Sequence, residues 1–335
     1  MIKKVRIGIL GCANFIRRLA MPAYKAIPNG EVVAIASRDY EKAKDWAREF
    51  NINPEESYDA LINNPNIDAI HIPLPNSLHK EWIIKAAQAG KHIICEKSIA
   101  PNLKDVKEIV EECRKNHVVL YENFMCGYHP QHEKVLSMIK EGKIGELLTF
   151  RSLFGFPLMN KDNFRYNKEL GGGVLNENGA YATFMARKII GKEPISVMGS
   201  LSFKEVDMKG GAMLDFGDGV TALLAFSLDA VYQNNYSVWG SKGIINVNRA
   251  YSIPPDMKPD VELVINENLK ETKTQIDIES VNHFELIFSD FCDTILNQNK
   301  QTETMYDKIL NQAKVLEAIR VSVQENRKVM LNEIQ

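Results

Sequence analysis

From residue 5 the chain alternates short, continuously apolar runs with amphipathic stretches. VRIGIL (5–10), EVVAIAS (31–37), IDAIHIPLP (67–75), HIICEK (92–97) and VVLYEN (118–123) each read as a strand. Between them lie helical patterns at 14–27, 39–50, 58–64, 77–90 and 103–116. Strands that are apolar along their whole length and separated by helices predict a parallel sheet covered on both faces. After about residue 124 the pattern changes. A helix over 131–141 leads to a strand, LLTFRSLFGF (147–156), and a helix over 176–190 follows a run of three glycines. Strand-like stretches then succeed one another at 195–203, 211–217, 220–228, 234–239, 243–247, 261–265 and 273–277, with Gly217-Asp218-Gly219 as a tight turn. Helices at 281–297 and 304–325 complete the pattern. It predicts an α/β domain over residues 1–124 and an α+β domain over 125–335, the second built on a large, mostly antiparallel open sheet.

A length of 335 residues suits two such domains, and 45% apolar with 25% charged residues is ordinary for a soluble globular protein. A net charge of −2, with no basic arm or acidic tail, argues against nucleic acid or an anionic membrane as the main partner. No run approaches the roughly 20 apolar residues of a membrane span. The start, MIKKVRIGILGC, does not read as a signal peptide, because its short apolar stretch carries Gly8 and Gly11. Five scattered cysteines without a CxxC pair point to reduced thiols and a cytoplasmic location, and no metal site is expected.

The candidate chemistry gathers at the ends of the first domain's strands, where open α/β sheets bind their ligands. The first strand-to-helix turn carries Gly11, Cys12, Ala13, Asn14 and Phe15, a small-residue turn suited to a pyrophosphate at a helix start. Ala13 stands where a second glycine is usual. After the second strand come Ser37 and Arg38, with Lys42 one helical turn on, where NAD-binding proteins usually place an acid. A hydroxyl and a guanidinium suit a 2′-phosphate, which favours NADP over NAD. The third strand end supplies Leu74, Pro75, Asn76 and His79, the last as a ligand contact or as a plain helix-start histidine. The fourth ends in Glu96-Lys97, which brings charge to the edge of a buried strand, where it is expensive. Lys97 is placed there for chemistry, with Glu96 holding it by charge pairing. In the second domain Gly171-Gly172-Gly173 allows close backbone approach before a helix that carries Glu177 and Tyr181 four residues apart. The Tyr181 hydroxyl is suited to bond a substrate hydroxyl or to pass a proton beside Lys97.

Taken together, Gly11-Cys12-Ala13-Asn14, Glu96-Lys97, Glu122-x-Phe124-Met125, His129-Pro130-Gln131 and the glycine run leading to Tyr181 resemble the Gfo/Idh/MocA family over essentially the full chain. The resemblance implies a Rossmann domain, a substrate domain with an open sheet, and NAD(P)-dependent alcohol–ketone interconversion, mostly on sugars. GYHPQH, FRYNKELGGG and RAYSIPP are most similar to nucleotide-sugar 3-ketoreductases. That implies Lys97 as proton donor, Arg165 and Glu177 close to the cofactor, and Arg18, Tyr128, His129, Tyr166, Tyr181 and Tyr251 on the substrate side, lining the mouth of the cleft. A free-sugar or dihydrodiol dehydrogenase and a non-catalytic, cofactor-sensing regulator are the alternatives. The chain departs from the family pattern at Ser98, where proline is usual, at Glu177, where Asp is usual, and at Asn178, where an apolar residue is common. The exposed face of the second sheet is expected to close a homodimer or homotetramer.

Overall fold

The computed structural model describes residues 3–158, 160, 162–267, 270–297 and 302–335. It divides into two compact units, Met1–Met125 with His283–Leu310, and Cys126–Asn282 with Asn311–Gln335. The first unit is built on strands β1 (Val5–Leu10), β2 (Gly30–Ala36), β3 (Asn53–Glu55), β4 (Ala69–Ile72), β5 (His92–Cys95) and β6 (Leu120–Glu122). They form one parallel sheet in the order β3-β2-β1-β4-β5-β6. Every residue of β4 is buried, as a strand covered on both faces requires. Helices α1 (Met21–Ala26), α2 (Tyr40–Phe50), α3 (Tyr58–Asn63), α4 (Asn76–Gln88) and α5 (Leu103–Lys115) connect the strands. Side chains start three of them, with Asp39, Ser57 and Asn102 accepting a backbone N–H at the N-caps of α2, α3 and α5.

In the second unit α6 (Pro130–Lys140) precedes β7 (Leu147–Gly155), and α7 (Ala180–Ile190) precedes β8 (Ser196–Phe203). There follow β9 (Asp207–Asp215), β10 (Thr221–Ser227), β11 (Gln233–Gly240), β12 (Gly243–Asn248), β13 (Asp260–Glu267) and β14 (Lys270–Gln275), with β15 (Val329–Met330) near the end of the chain. The sheet order is β14-β13-β12-β11-β7-β10-β9-β8-β15. Only β7 and β10 run parallel among these pairs. Gly217, Asp218 and Gly219 all have positive φ in the β9–β10 turn, as the turn residues predict. One face of the sheet packs Phe150, Phe154, Ala222 and Phe226 beneath α7. The other shows Leu153, Met198, Met213, Leu223 and Trp239 to solvent, on alternate positions of neighbouring strands.

The chain then returns to the first unit. Helix α8 (His283–Leu296), expected with the second domain, packs instead on α1, β1 and β2. Phe288 stacks on Tyr24 with ring centroids 4.1 Å apart, and Asn29 donates to the Ser289 carbonyl (2.9 Å) and to Asp293 (2.8 Å). Gly30 is glycine because a Cβ there would lie 2.7 Å from the Cys292 sulfur. Helix α9 (Thr302–Glu325) follows. Among the described residues no helix is long and apolar enough to cross a membrane.

Candidate active site

The first unit assembles its candidates along the carboxyl edge of its sheet. Gly11 has φ +128°, and a Cβ there would sit 3.0 Å from Leu74 Cδ2, so only glycine leaves the turn open at the strand end. Its N–H donates to the Ala36 carbonyl at 2.9 Å, which ties the end of β1 to the end of β2. Cys12, Ala13, Asn14 and Phe15 lead into a π-helical turn, Ile16–Ala20, rather than directly into an α-helix. Burial pushes the Cys12 thiol up from its ordinary range. Arg18, Arg38 and Lys42 are exposed, and Ser37 is half-buried, its Oγ accepting from the Asp39 N–H at 3.2 Å.

Leu74, Pro75 and Asn76 form the turn between β4 and α4. His79 lies one turn into α4, fully buried, with Nε2 2.7 Å from the Leu74 carbonyl and Nδ1 3.0 Å from that of Ser98. The two ring nitrogens thus each face a backbone carbonyl, and the ring's single N–H in the neutral form donates to one of them. Burial lowers its pKa, and the two carbonyls oppose that shift.

At the end of β5 the Glu96 N–H still donates to Ile72, after which Lys97 leaves the ladder only 8% exposed. The peptide from Lys97 to Ser98, where the family pattern has proline, is cis. Glu96 Oε1 accepts from Asn123 Nδ2 at 2.6 Å and lies 3.3 Å from His71 Nε2. The half-buried Glu96 carboxylate is therefore hydrogen-bonded at this strand end rather than left bare.

In the second unit the glycine run is explained by the chain's own backbone. A Cβ on Gly172 would lie 2.5 Å from the Arg165 carbonyl, and one on Gly173, at φ +123°, would collide with the Asp207 carboxylate. The run therefore folds tightly onto Phe164-Arg165, within the helical segment that carries Arg165. Arg165 Nη2 reaches Glu177 Oε1 at 2.8 Å, and Glu177 is buried. Glu177 and Asn178 occupy a second π-helical turn, Leu175–Gly179, where an α-helix was expected, and Asp207 accepts the Leu175 N–H at its start (2.7 Å). Asn178 donates to the carbonyls of Phe154 (3.1 Å) and Ser227 (3.3 Å), pinning this turn to the ends of β7 and β10. That is a use an apolar residue could not serve. π-Helical turns concentrate at functional sites, and here the first carries Arg18 and the second Glu177, with Tyr181 in the helix that follows it.

Tyr181 is buried against Phe154 and Tyr251, with ring centroids 5.5 and 6.0 Å away. Tyr128 and Tyr166 are half-buried. Two substrate candidates turn inward. Tyr251 is completely buried with its hydroxyl on Ser152, because a phenol inside the core needs a partner. His129 is also buried and caps α6, its Nδ1 accepting from the Gln131 N–H at 3.2 Å. His71, Tyr24, Asn123 and Asp207 escaped the sequence reading. The one available signal was His71, a lone polar residue inside an otherwise apolar strand.

A parallel six-stranded sheet with an open glycine turn after its first strand, followed by an α+β unit on a nine-stranded sheet, defines a dinucleotide-dependent oxidoreductase fold. Residues 5–124 match the oxidoreductase family with an NAD-binding Rossmann fold, and residues 132–246 match the GFO/IDH/MocA C-terminal domain. The chain belongs to the Gfo/Idh/MocA oxidoreductase family. A dTDP-3,4-didehydro-2,6-dideoxy-alpha-D-glucose 3-reductase of Actinomadura kijaniata is 33% identical over 325 residues, covering 96% of each chain. The protein of the same name in Saccharopolyspora spinosa is 37% identical over 267 residues, 78% of this chain and 80% of its own. The crystal structure of a 3-ketoreductase from Actinomadura kijaniata in complex with NADP and TDP-benzene matches with a TM-score of 0.89 at 32% identity, over 96% of this chain and 98% of that one.

Proposed function

We propose that the protein is an NADP(H)-dependent 3-ketoreductase of a nucleotide-linked sugar in deoxysugar biosynthesis. The observation that carries this reading is Lys97, a lysine brought to a sheet's ligand-binding edge at 8% exposure, in a chain similar over its full length to dTDP-sugar 3-reductases. The residues fit a dinucleotide. The cradle at Gly11 is one that a Cβ would fill, and the end of β2 carries Ser37 and Arg38 in place of an acid. When bound, NADPH supplies a hydride to the sugar's carbonyl carbon.

The chain's own groups do the rest. Ser37, Arg38 and Lys42 hold the 2′-phosphate, with Arg38 able to grip two oxygens at once. Leu74, Pro75 and Asn76, with Glu96, shape the edge against which the cofactor lies, and Arg165 with Glu177 presents a fixed charge pair to it. Lys97 gives a proton to the alkoxide oxygen, a contribution of roughly 10²–10⁴ in rate for a positioned donor. Tyr181 bonds a substrate hydroxyl, and Arg18, Tyr128 and Tyr166 serve the nucleotide. The protein works in the cytoplasm as a homodimer or homotetramer closed through the uncovered sheet face.

The test compares NADPH oxidation with a 3-keto nucleotide sugar and with the same sugar lacking its nucleotide. A large fall in kcat/KM without the nucleotide is expected. An unchanged kcat/KM refutes the nucleotide-sugar assignment and identifies a free-sugar enzyme.

A further inference from the structure

We propose that Tyr24 and His71 are positioning residues that fix Glu96 beside Lys97 through a buried chain of hydrogen bonds. The Tyr24 hydroxyl lies 3.1 Å from His71 Nδ1, and His71 Nε2 lies 3.3 Å from Glu96 Oε1, the oxygen that also accepts from Asn123 at 2.6 Å. The direction of the chain follows from its ends. A carboxylate only accepts, so the imidazole proton sits on Nε2. Tyr24 is buried under Phe288, and burial pushes its phenol well above the ordinary range, so it stays protonated and donates to Nδ1. His71 thus has a polar partner at each ring nitrogen.

Packing gives no reason for this arrangement. β4 is AIHI, buried at every position, where an aliphatic side chain would fill the space without two polar atoms to satisfy. The polar outlet of the Tyr24–His71 pair is Glu96. Two donors converging on Oε1 fix the carboxylate's rotation, while Oε2 accepts no bond among the described residues. The next residue is Lys97, and burial disfavours an ammonium unless a carboxylate stands close. Besides Tyr24, the titratable side chains that feel the Glu96 charge include Cys95 of β5 and His79 of α4, with Glu122 of β6 beside Cys95. All three remain in the variants below. The inference rests on the proposed role of Lys97 as proton donor, but its test does not depend on the identity of the sugar.

The test uses the full-length protein labelled with ¹⁵N-histidine and ¹³C-lysine. In the wild type, NMR should show His71 protonated on Nε2 and bare on Nδ1. The pH at which Lys97 loses its proton should fall in His71→Leu, return in His71→Gln, whose amide restores a donor, and lie between in Tyr24→Phe, which keeps the ring stack. NADP affinity by calorimetry should stay within about twofold, while turnover falls about tenfold in His71→Leu, the scale of one hydrogen bond to a charged group. A His71 protonated on Nδ1, a Lys97 titration unmoved in His71→Leu, or a loss not relieved by Gln would overturn the proposal. If His71→Leu does not fold, Tyr24→Phe decides alone, and an unshifted Lys97 there refutes it. A wild type inactive on 3-keto nucleotide sugars would count against the substrate assignment only, because the NMR readouts would still hold or fail by themselves.

Discussion

His129 makes the stability of the second unit depend on acid. Its imidazole caps α6, and to accept the Gln131 N–H its Nδ1 must carry a lone pair. Burial lowers the His129 pKa from 6.5 to about 4. The fold thus favours the neutral ring. Its contribution is complete above about pH 6.5 and is lost as the pH falls toward 4, because the unfolded chain takes up a proton that the folded one refuses. At about 1.4 kcal/mol per pH unit of displacement, this linkage removes about 2.5 kcal/mol between pH 7.5 and 4.5. His129→Asn isolates the effect, since asparagine is a good N-cap that does not titrate. Any fixed penalty of the smaller side chain cancels when each protein is compared with itself at the two pH values. The assay is urea unfolding followed by circular dichroism at pH 7.5 and 4.5. The wild type should lose about 2.5 kcal/mol more than the variant between those two pH values. Equal losses would refute the reasoning and show that His129 titrates like an exposed histidine.

Arg38→Ala should weaken NADP about tenfold or more and leave NAD almost unchanged, as expected for one charge-assisted contact; calorimetric titration of both cofactors checks it, and equal affinities in the wild type would refute it. Lys97→Met should keep NADP binding within a few-fold and lower turnover by at least ~10², so a variant retaining more than a tenth of wild-type turnover would make the lysine structural. Trp239→Glu, on the uncovered face where Trp239 is 53% exposed, should shift sedimentation toward a smaller species, and a wild type that already sediments as a monomer would contradict the proposed assembly.

Much of this was legible from patterning because burial on both faces leaves a strong mark. The apolar runs ending at Leu10, Ala36, Ile72 and Cys95 are strands of one parallel sheet, and the residues after them are the site candidates. Less was legible where polarity or length removed the mark. β3 is three residues, Asn53–Glu55, with a proline at its centre, and β15 is two. β9 begins at Asp207, four residues before the predicted 211, because Gly210 and Gly211 carry no side chain to mark a strand although they let neighbouring backbones approach. The helix over 283–296 was placed with the wrong neighbours because an amphipathic pattern tells which face is buried and not against what. The same limit governs the site. His79, His129 and Tyr251 are polar residues in the right motifs, and the contacts of His79 with two carbonyls, of His129 Nδ1 with the Gln131 N–H and of Tyr251 with Ser152 are visible only as three-dimensional distances.

The late arrival of α8 has a consequence for biosynthesis. All six strands of the first sheet have left the ribosome once residue 122 has emerged, but the helix that seals them lies some 160 residues further along. Until then Tyr24 lacks the Phe288 ring stacked on it and Asn29 lacks its partners on α8. A nascent chain of this protein therefore carries a finished sheet with one uncovered apolar flank throughout synthesis of the second unit, the kind of surface that chaperones bind. Truncations ending before residue 283, attractive as minimal cofactor-binding fragments, would inherit that exposed flank permanently.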